Sequence, residues 1–167
     1  MEGIIDQKTA LQSAQFASAA STLFVAGYGF AFSQSAVPQL YDVKPQISTP
    51  IFKNVYYQGA KVVPPGAIIA AASSGYLAYI LPEQRSEWIK VAISALATQV
   101  WTVVVMLPSI KRLIKISEAD EKTQGRIEMS LEHRQLMIKW VRQNWIRSGM
   151  ALFGGVTALR AILNTYA

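Results

Sequence analysis

The stretch HRQLMIKWVRQNWIR, His133 to Arg147, holds the chain's only histidine and two of its four tryptophans. At about 100° per residue on a helix, His133, Leu136, Trp140, Asn144 and Arg147 fall in one narrow stripe. An imidazole titrates near pH 6.5 and can take up a proton, which makes His133 a candidate catalytic base. The Arg147 guanidinium stays cationic and the Asn144 amide can donate, so both could hold a developing oxyanion. Trp140 could stack on a flat ring. A plainer reading of the same pattern is an interfacial amphipathic helix, with Trp140 and Trp145 as belt aromatics and Arg142 and Arg147 meeting headgroups. A second stretch, FKNVYYQGAKVVPPG, Phe52 to Gly66, sets Phe52, Tyr56, Gly59 and Val63 on one helical face. Pro64 and Pro65 cannot donate to the carbonyls of Ala60 and Lys61, so either a helix kinks there or a new one begins. One reading turns Tyr56 and Lys61 to the same cytoplasmic-side cavity as His133; the plainer one is interfacial punctuation. Trp101 reads as packing or as a further wall.

Composition indicates which elements must carry these groups. The 167 residues are 51% apolar and only 16% charged, with a mean hydropathy of +0.24, whereas average soluble domains carry roughly 25% charged residues. The charge is also segregated: no Asp, Glu, Lys or Arg occurs in 9–37, 62–81 or 91–110. These runs approach or exceed the ~20 residues a spanning helix needs. With 148–166 they predict four spans, the last carrying Arg160, which must snorkel or find a partner. The first span is rich in Ser, Gln and Gly and needs shielding by other helices. Met1 to Asp6 is acidic and the run after it is longer than the apolar core of a cleavable signal, so this segment is expected to stay as a span. The predicted fold is all-α: a four-helix transmembrane bundle forming a single membrane domain over 1–167, with an amphipathic helical extension before the fourth span. The 38–61 and 111–147 segments then share one side. They carry every Lys and Arg except Lys8, Arg85, Lys90, Arg160, so the positive-inside rule makes them cytoplasmic and both termini lumenal or exterior.

The residue inventory excludes several chemistries. Without cysteine there is no disulfide, thiolate metal site or thiol nucleophile, and a single histidine rules out bis-histidine haem or two-histidine iron ligation within one chain. No metal ligands are expected. The net charge of +6 is compatible with nucleic acid, but the long apolar runs direct it to a bilayer, and no nucleic-acid partner is expected. Gln12, Gln15, Gln34 and Gln99 read as interhelical hydrogen-bond glue. Gly27, Gly29, Gly154 and Gly155 suit close helix approach, and Glu118, Asp120 and Glu121 read as a solvated run in a polar connector. No phosphate loop, dinucleotide fingerprint, serine elbow or HExxH pattern is present.

Three short motifs, in order, carry a resemblance. F-x-x-x-Y-x-x-G-x-x-x-x-P, from Phe52, Tyr56, Gly59 and Pro64, is similar to the element ahead of the second span in anthrone oxygenase-like membrane proteins, where the first aromatic is commonly Trp. MLPSIKRL, Met106 to Leu113, resembles the motif closing their third span, and W-x-x-x-N-x-x-R, from Trp140, Asn144 and Arg147, the signature leading into their fourth. The resemblance implies a small integral membrane oxygenase of polyketide biosynthesis, in an internal membrane such as the endoplasmic reticulum. It would convert an anthrone to the anthraquinone with O2 as co-substrate and no metal or flavin cofactor. On that reading His133 is the general base, with Tyr56 open as the alternative. Arg147 and Asn144 stabilise the anion, while Trp140, Tyr56, Phe52 and Trp101 hold the ring and Lys61 adds a cation at the mouth. The expected partners are a small aromatic polyketide and the lipid bilayer, with homo-oligomerisation left open. The rival reading is a non-catalytic scaffold or carrier that holds apolar intermediates for a partner enzyme.

Overall fold

A computed structural model describes residues 2–166, with side chains over 6–126 and 129–166. Every regular element in it is helical. The elements are α1 (Glu2–Ala31), α2 (Pro45–Ile80), α3 (Arg85–Trp101), α4 (Leu107–Ser117), α5 (Glu121–Gln124) and α6 (Ile127–Tyr166). Four helical runs are long and apolar enough to cross a membrane: Asp6–Leu40, Pro45–Ile80, Pro82–Ser117 and Met129–Tyr166. Each extends beyond the apolar run that announced it. Pro64 and Pro65 lie within an unbroken α2 rather than at the start of a new helix. The extension before the fourth span is continuous with it as α6. Large apolar side chains such as Phe16, Tyr79, Val104 and Leu163 point outward, as lipid-facing positions do when hydrocarbon rather than water is the solvent.

Two wide turns mark the chain. Phe32–Ala36 and Thr102–Met106 are π-helical, closed by Val37 N–H to Phe32 O and by Leu107 N–H to Thr102 O. In both cases the next residue is proline, Pro38 or Pro108. Proline has no N–H and its ring crowds the carbonyl four residues back, so the preceding turn widens and its last donor reaches one residue further. The third helical run therefore passes through Pro108 and continues as α4 to Ser117.

The residues fall into two compact units. The first comprises residues 1–27, 64–99 and 148–167. Its core is built largely of small residues, Ala19, Ala78, Ala158 and Ala161, around Leu77, Trp88 and Val91. Close approach lets hydroxyls and amides pair away from water: Ser18 and Ser74 hydroxyls lie 2.7 Å apart, and Gln15 donates to Thr165 and accepts from the Tyr166 hydroxyl. Gln15 thus acts as glue, whereas Gln12 and Gln34 are exposed and Gln99 bonds only to its neighbour Thr98. Arg160 is exposed within electrostatic reach of Glu87. A Cβ on Gly154 would collide with Ser94 and press on Thr22, and one on Gly155 would strike Leu23. No atom lies within 4 Å of where a Cβ on Gly27 would be, so Gly27 serves no close approach of the described atoms.

The second unit comprises 28–63 and 100–147. Its core is larger-grained: Val37, Leu40, Phe52, Met106, Ile110, Leu113, Met137, Trp140 and Val141. Ion pairs tie its polar margin. Arg112 grips Glu132 with two hydrogen bonds of 2.6 and 2.8 Å, Lys53 meets Glu118 at 2.6 Å, and Arg134 meets Asp42 at 3.1 Å. The acidic connector is therefore partly engaged: Glu118 pairs, and Asp120 caps α5 through the Thr123 N–H, contacts that hold its carboxyl below the usual range.

The glycine contacts make a paired prediction. Gly154→Val should lower unfolding stability in detergent by about 1–3 kcal/mol through overpacking. Gly75→Ala, where a Cβ meets nothing within 4 Å, should leave it unchanged or slightly raised. Thermal or SDS unfolding of the two variants, side by side, is the check.

Candidate active site

The second unit assembles its polar groups where α6 faces the two π-helical turns. Those turns expose backbone and hydroxyl oxygens that regular helix would leave enclosed. On the α1 side, Asn144 Nδ2 donates to the Gly29 carbonyl at 2.8 Å and to the Ser33 hydroxyl at 2.6 Å. On the α3 side, Gln143 Nε2 donates to the Val105 carbonyl at 3.1 Å, the Trp101 indole N–H donates to the Gln143 carbonyl at 3.0 Å, and Arg147 donates to the Thr102 hydroxyl at 3.3 Å. Three neighbouring positions of α6 are thus read by two broken ladders.

The stripe turns inward. His133 is 1% exposed, Trp140 5% and Asn144 0%, while Leu136 and Arg147 are half-buried. Trp145 and Arg142 face outward, with Trp145 edge-on to Phe30 at 4.7 Å between ring centres. Phe52 is fully buried and meets Trp140 edge-on, at 5.3 Å and 90°. It braces that ring from the core. Tyr56, half-buried, packs on the same core, and Tyr28 and Tyr56 both lie within electrostatic reach of the Arg147 guanidinium. Gly59 lies against Tyr28: a Cβ there would sit in ordinary contact, 3.7 Å from the ring and 3.9 Å from its hydroxyl.

Hydrogen-bond accounting sharpens the roles. The Asn144 amide spends its N–H groups on Gly29 and Ser33. The Gly29 carbonyl can only accept, which fixes the amide's orientation. Asn144 is therefore not a free oxyanion donor as expected; what it presents is Oδ1, a buried acceptor with no partner. The donor the sequence reading assigned elsewhere is Trp140, whose indole N–H is buried and unpartnered. Buried polar atoms without partners are uncommon in native folds, and here the Trp140 Nε1 and Asn144 Oδ1 atoms belong to consecutive turns of α6, on the stripe that Arg147 continues.

Two expected members fall outside this set. His133 and Arg147 lie on one unbroken helix, and a rise of about 1.5 Å per residue puts their Cα atoms about 21 Å apart. The shared stripe hid that separation, because a helical wheel discards height. One flat ring held by Arg147 cannot also reach the His133 imidazole. Lys61 is exposed and is not brought to the stripe by any described contact. Trp101 does join, through Gln143. The sequence reading missed Tyr28, Ser33, Thr102 and Gln143. The signal available was the proline that follows each wide turn, Pro38 and Pro108. Among the described residues no three His, Asp or Glu side chains converge as metal ligands would.

Fold and site together define a multi-pass, all-helical membrane protein with a half-buried cation and a buried indole and amide on one inward helical face. The chain belongs to the anthrone oxygenase family, whose model matches residues 52–157, a stretch that includes Phe52, Tyr56, Trp101, Trp140, Asn144 and Arg147. It is similar to the anthrone oxygenase ptaC of Pestalotiopsis fici, 28% identical over 130 residues that cover 74% of this chain and 92% of that protein. It is also similar to an anthrone oxygenase of Claviceps purpurea, 25% identical over 147 residues covering 86% and 84%. No solved structure matches it.

Asn144→Ala would strand the Gly29 carbonyl and the Ser33 hydroxyl in the core. Losing the partner of a buried polar group costs about 1–3 kcal/mol, so this variant should unfold measurably earlier in a detergent or SDS titration, whatever happens to activity.

Proposed function

We propose that this protein oxidises an anthrone-type polyketide to the corresponding anthraquinone, taking O2 as co-substrate and using no bound metal or flavin. Family membership supports the reaction class. The single observation that carries the site is the run of Trp140 N–H, Asn144 Oδ1 and Arg147 along one buried face, with Tyr56 and Tyr28 beside the guanidinium.

The chemistry follows from the substrate. An anthrone carries an acidic CH2 para to its carbonyl across the central ring, and removal of one proton gives an electron-rich oxyanion. In this scheme Tyr56, on the Arg147 side of the face, is the base in its phenolate form: it takes the proton to become the phenol, the negative charge passes to the substrate oxygen, and Arg147 balances that charge throughout. The Trp140 N–H donates to the oxygen of the enolate, and Asn144 Oδ1 accepts from a ring hydroxyl. The carbanion passes an electron to O2, so the substrate serves as its own reductant, and carbon–oxygen bond formation gives a peroxide at the former CH2. Loss of the remaining C–H proton and cleavage of the O–O bond release water and leave the new carbonyl. One CH2 and one O2 give one C=O and one H2O. A flat apolar substrate would reach such a site from the bilayer, which fits an integral membrane enzyme. The basic segments of the second unit fit a cytoplasmic exposure, with the termini in the lumen of an internal membrane.

Oxygen uptake by purified protein with an anthrone, corrected for spontaneous oxidation, is the test. A positioned base or oxyanion donor contributes about 10²–10⁴-fold, so Arg147→Ala and Tyr56→Phe should each lower turnover at least about tenfold. His133→Ala should stay within about threefold, since the imidazole lies too far along α6. Equal rates for wild type and Arg147→Ala would remove the site. Tight anthrone binding without any oxygen uptake would leave a carrier in place of an enzyme.

A further inference from the structure

The separation of His133 from Arg147 leaves a buried imidazole that the proposed reaction does not use, and it has surroundings of its own. His133 lines a cavity of about 210 Å³ with Tyr41, Asp42, Lys44, Leu131 and Arg134. Its Nδ1 lies 2.6 Å from the Ser130 carbonyl. A carbonyl can only accept, so Nδ1 carries the proton and in the neutral ring Nε2 holds the lone pair. Nε2 is buried without a partner. Burial pushes the Tyr41 phenol up, against the opposing pull of Arg134 and Arg142, so it remains a donor at neutral pH. Two cations, Lys44 and Arg134, stand against one carboxylate, Asp42, which is 3.1 Å from Arg134. The cavity is therefore net positive, with one hydroxyl donor and an apolar wall at Leu131.

We propose that this cavity is a second binding site, for a single-ring aromatic acid whose carboxylate lies between Lys44, Arg134 and the Tyr41 hydroxyl while its ring packs on Leu131 and the His133 imidazole. Charge selects an anion, and the planar guanidinium suits a carboxylate. Size suits a single ring: a cavity near 150 Å³ holds one benzene, so one substituted ring fits within this one. The site lies several turns of α6 from Arg147 and stands whether or not the oxygenase reading does. Inorganic phosphate or a lipid phosphate shares the charge but leaves the apolar wall unfilled. Asp42 gives the site a sign that can be read. It competes with an incoming carboxylate for Arg134, so removing its charge must tighten binding, while removing the charge of Arg134 must weaken it.

Because the chain has one histidine, its ¹³C-labelled Cε1–H resonance reports on this ring alone. The full chain in maltoside micelles is titrated with benzoate, and separately with inorganic phosphate and with short-chain phosphatidic acid. The expected result is a saturable benzoate shift with a millimolar or tighter Kd. Arg134→Gln should weaken it about tenfold and Asp42→Asn should tighten it about threefold or more. Both side chains are largely exposed, so neither change threatens the fold, and an unchanged unfolding midpoint checks that. No saturable shift by about 10 mM benzoate, or equal affinity in wild type and Arg134→Gln, overturns the proposal. Phosphate or phosphatidic acid binding as tightly as benzoate overturns the aromatic acid as its ligand.

Discussion

The pair of hydrogen bonds from Asn144 to the Gly29 carbonyl and the Ser33 hydroxyl is the tie on which the second unit depends. It joins residues more than a hundred positions apart in sequence, at a site with no measurable exposure, where an unmade hydrogen bond has no water to fall back on. One amide thus links the stretch around Gly29 and Ser33 to α6, on the inward face that also carries Trp140.

The tie works because the partner ladders are already open. Proline cannot continue the hydrogen-bond pattern, and the chain answers at Pro38 and Pro108 in the same way, with a widened turn rather than an end. In a lipid environment backbone carbonyls are satisfied within the protein, and the Val105 carbonyl, in the wide turn, accepts from Gln143. What looks like punctuation in the sequence thus becomes a binding surface for the polar edge of another helix. The first unit solves its packing differently. Its small residues allow close approach, and Ser18, Ser74, Gln15 and Thr165 bond to one another where helix axes come near. Packing is thus coarse and partly aromatic in the second unit and fine, on alanines, in the first.

The exposed ion pairs of the second unit, Arg112 with Glu132 and Lys53 with Glu118, add little stability each, since surface pairs are worth at most about 1 kcal/mol. Their effect is geometric: Arg112 with Glu132 joins α4 to α6, and Lys53 with Glu118 holds the start of the connector to α2. The Asp42 and Arg134 pair is of the same kind, but it sits at a cavity and so sets local charge as well as position.

The apolar runs, the absence of charge within them and the segregation of Lys and Arg determined by themselves that this chain is helical and spans a membrane four times, because lipid admits few other ways to satisfy a backbone. Three ordered motifs were enough to point to the anthrone oxygenase family. The angular position of His133, Trp140, Asn144 and Arg147 was also legible, since it depends only on helical twist. Their height was not used, and so His133 was grouped with residues several turns away. Which donors are spent and which are free, Asn144 in the first case and Trp140 in the second, is decided by Gly29, Ser33 and Phe52, which local periodicity cannot bring together. Tyr28 and Gln143 belong to the site for the same reason: a long-range contact is set by the packing of whole helices, and no short window of sequence contains it.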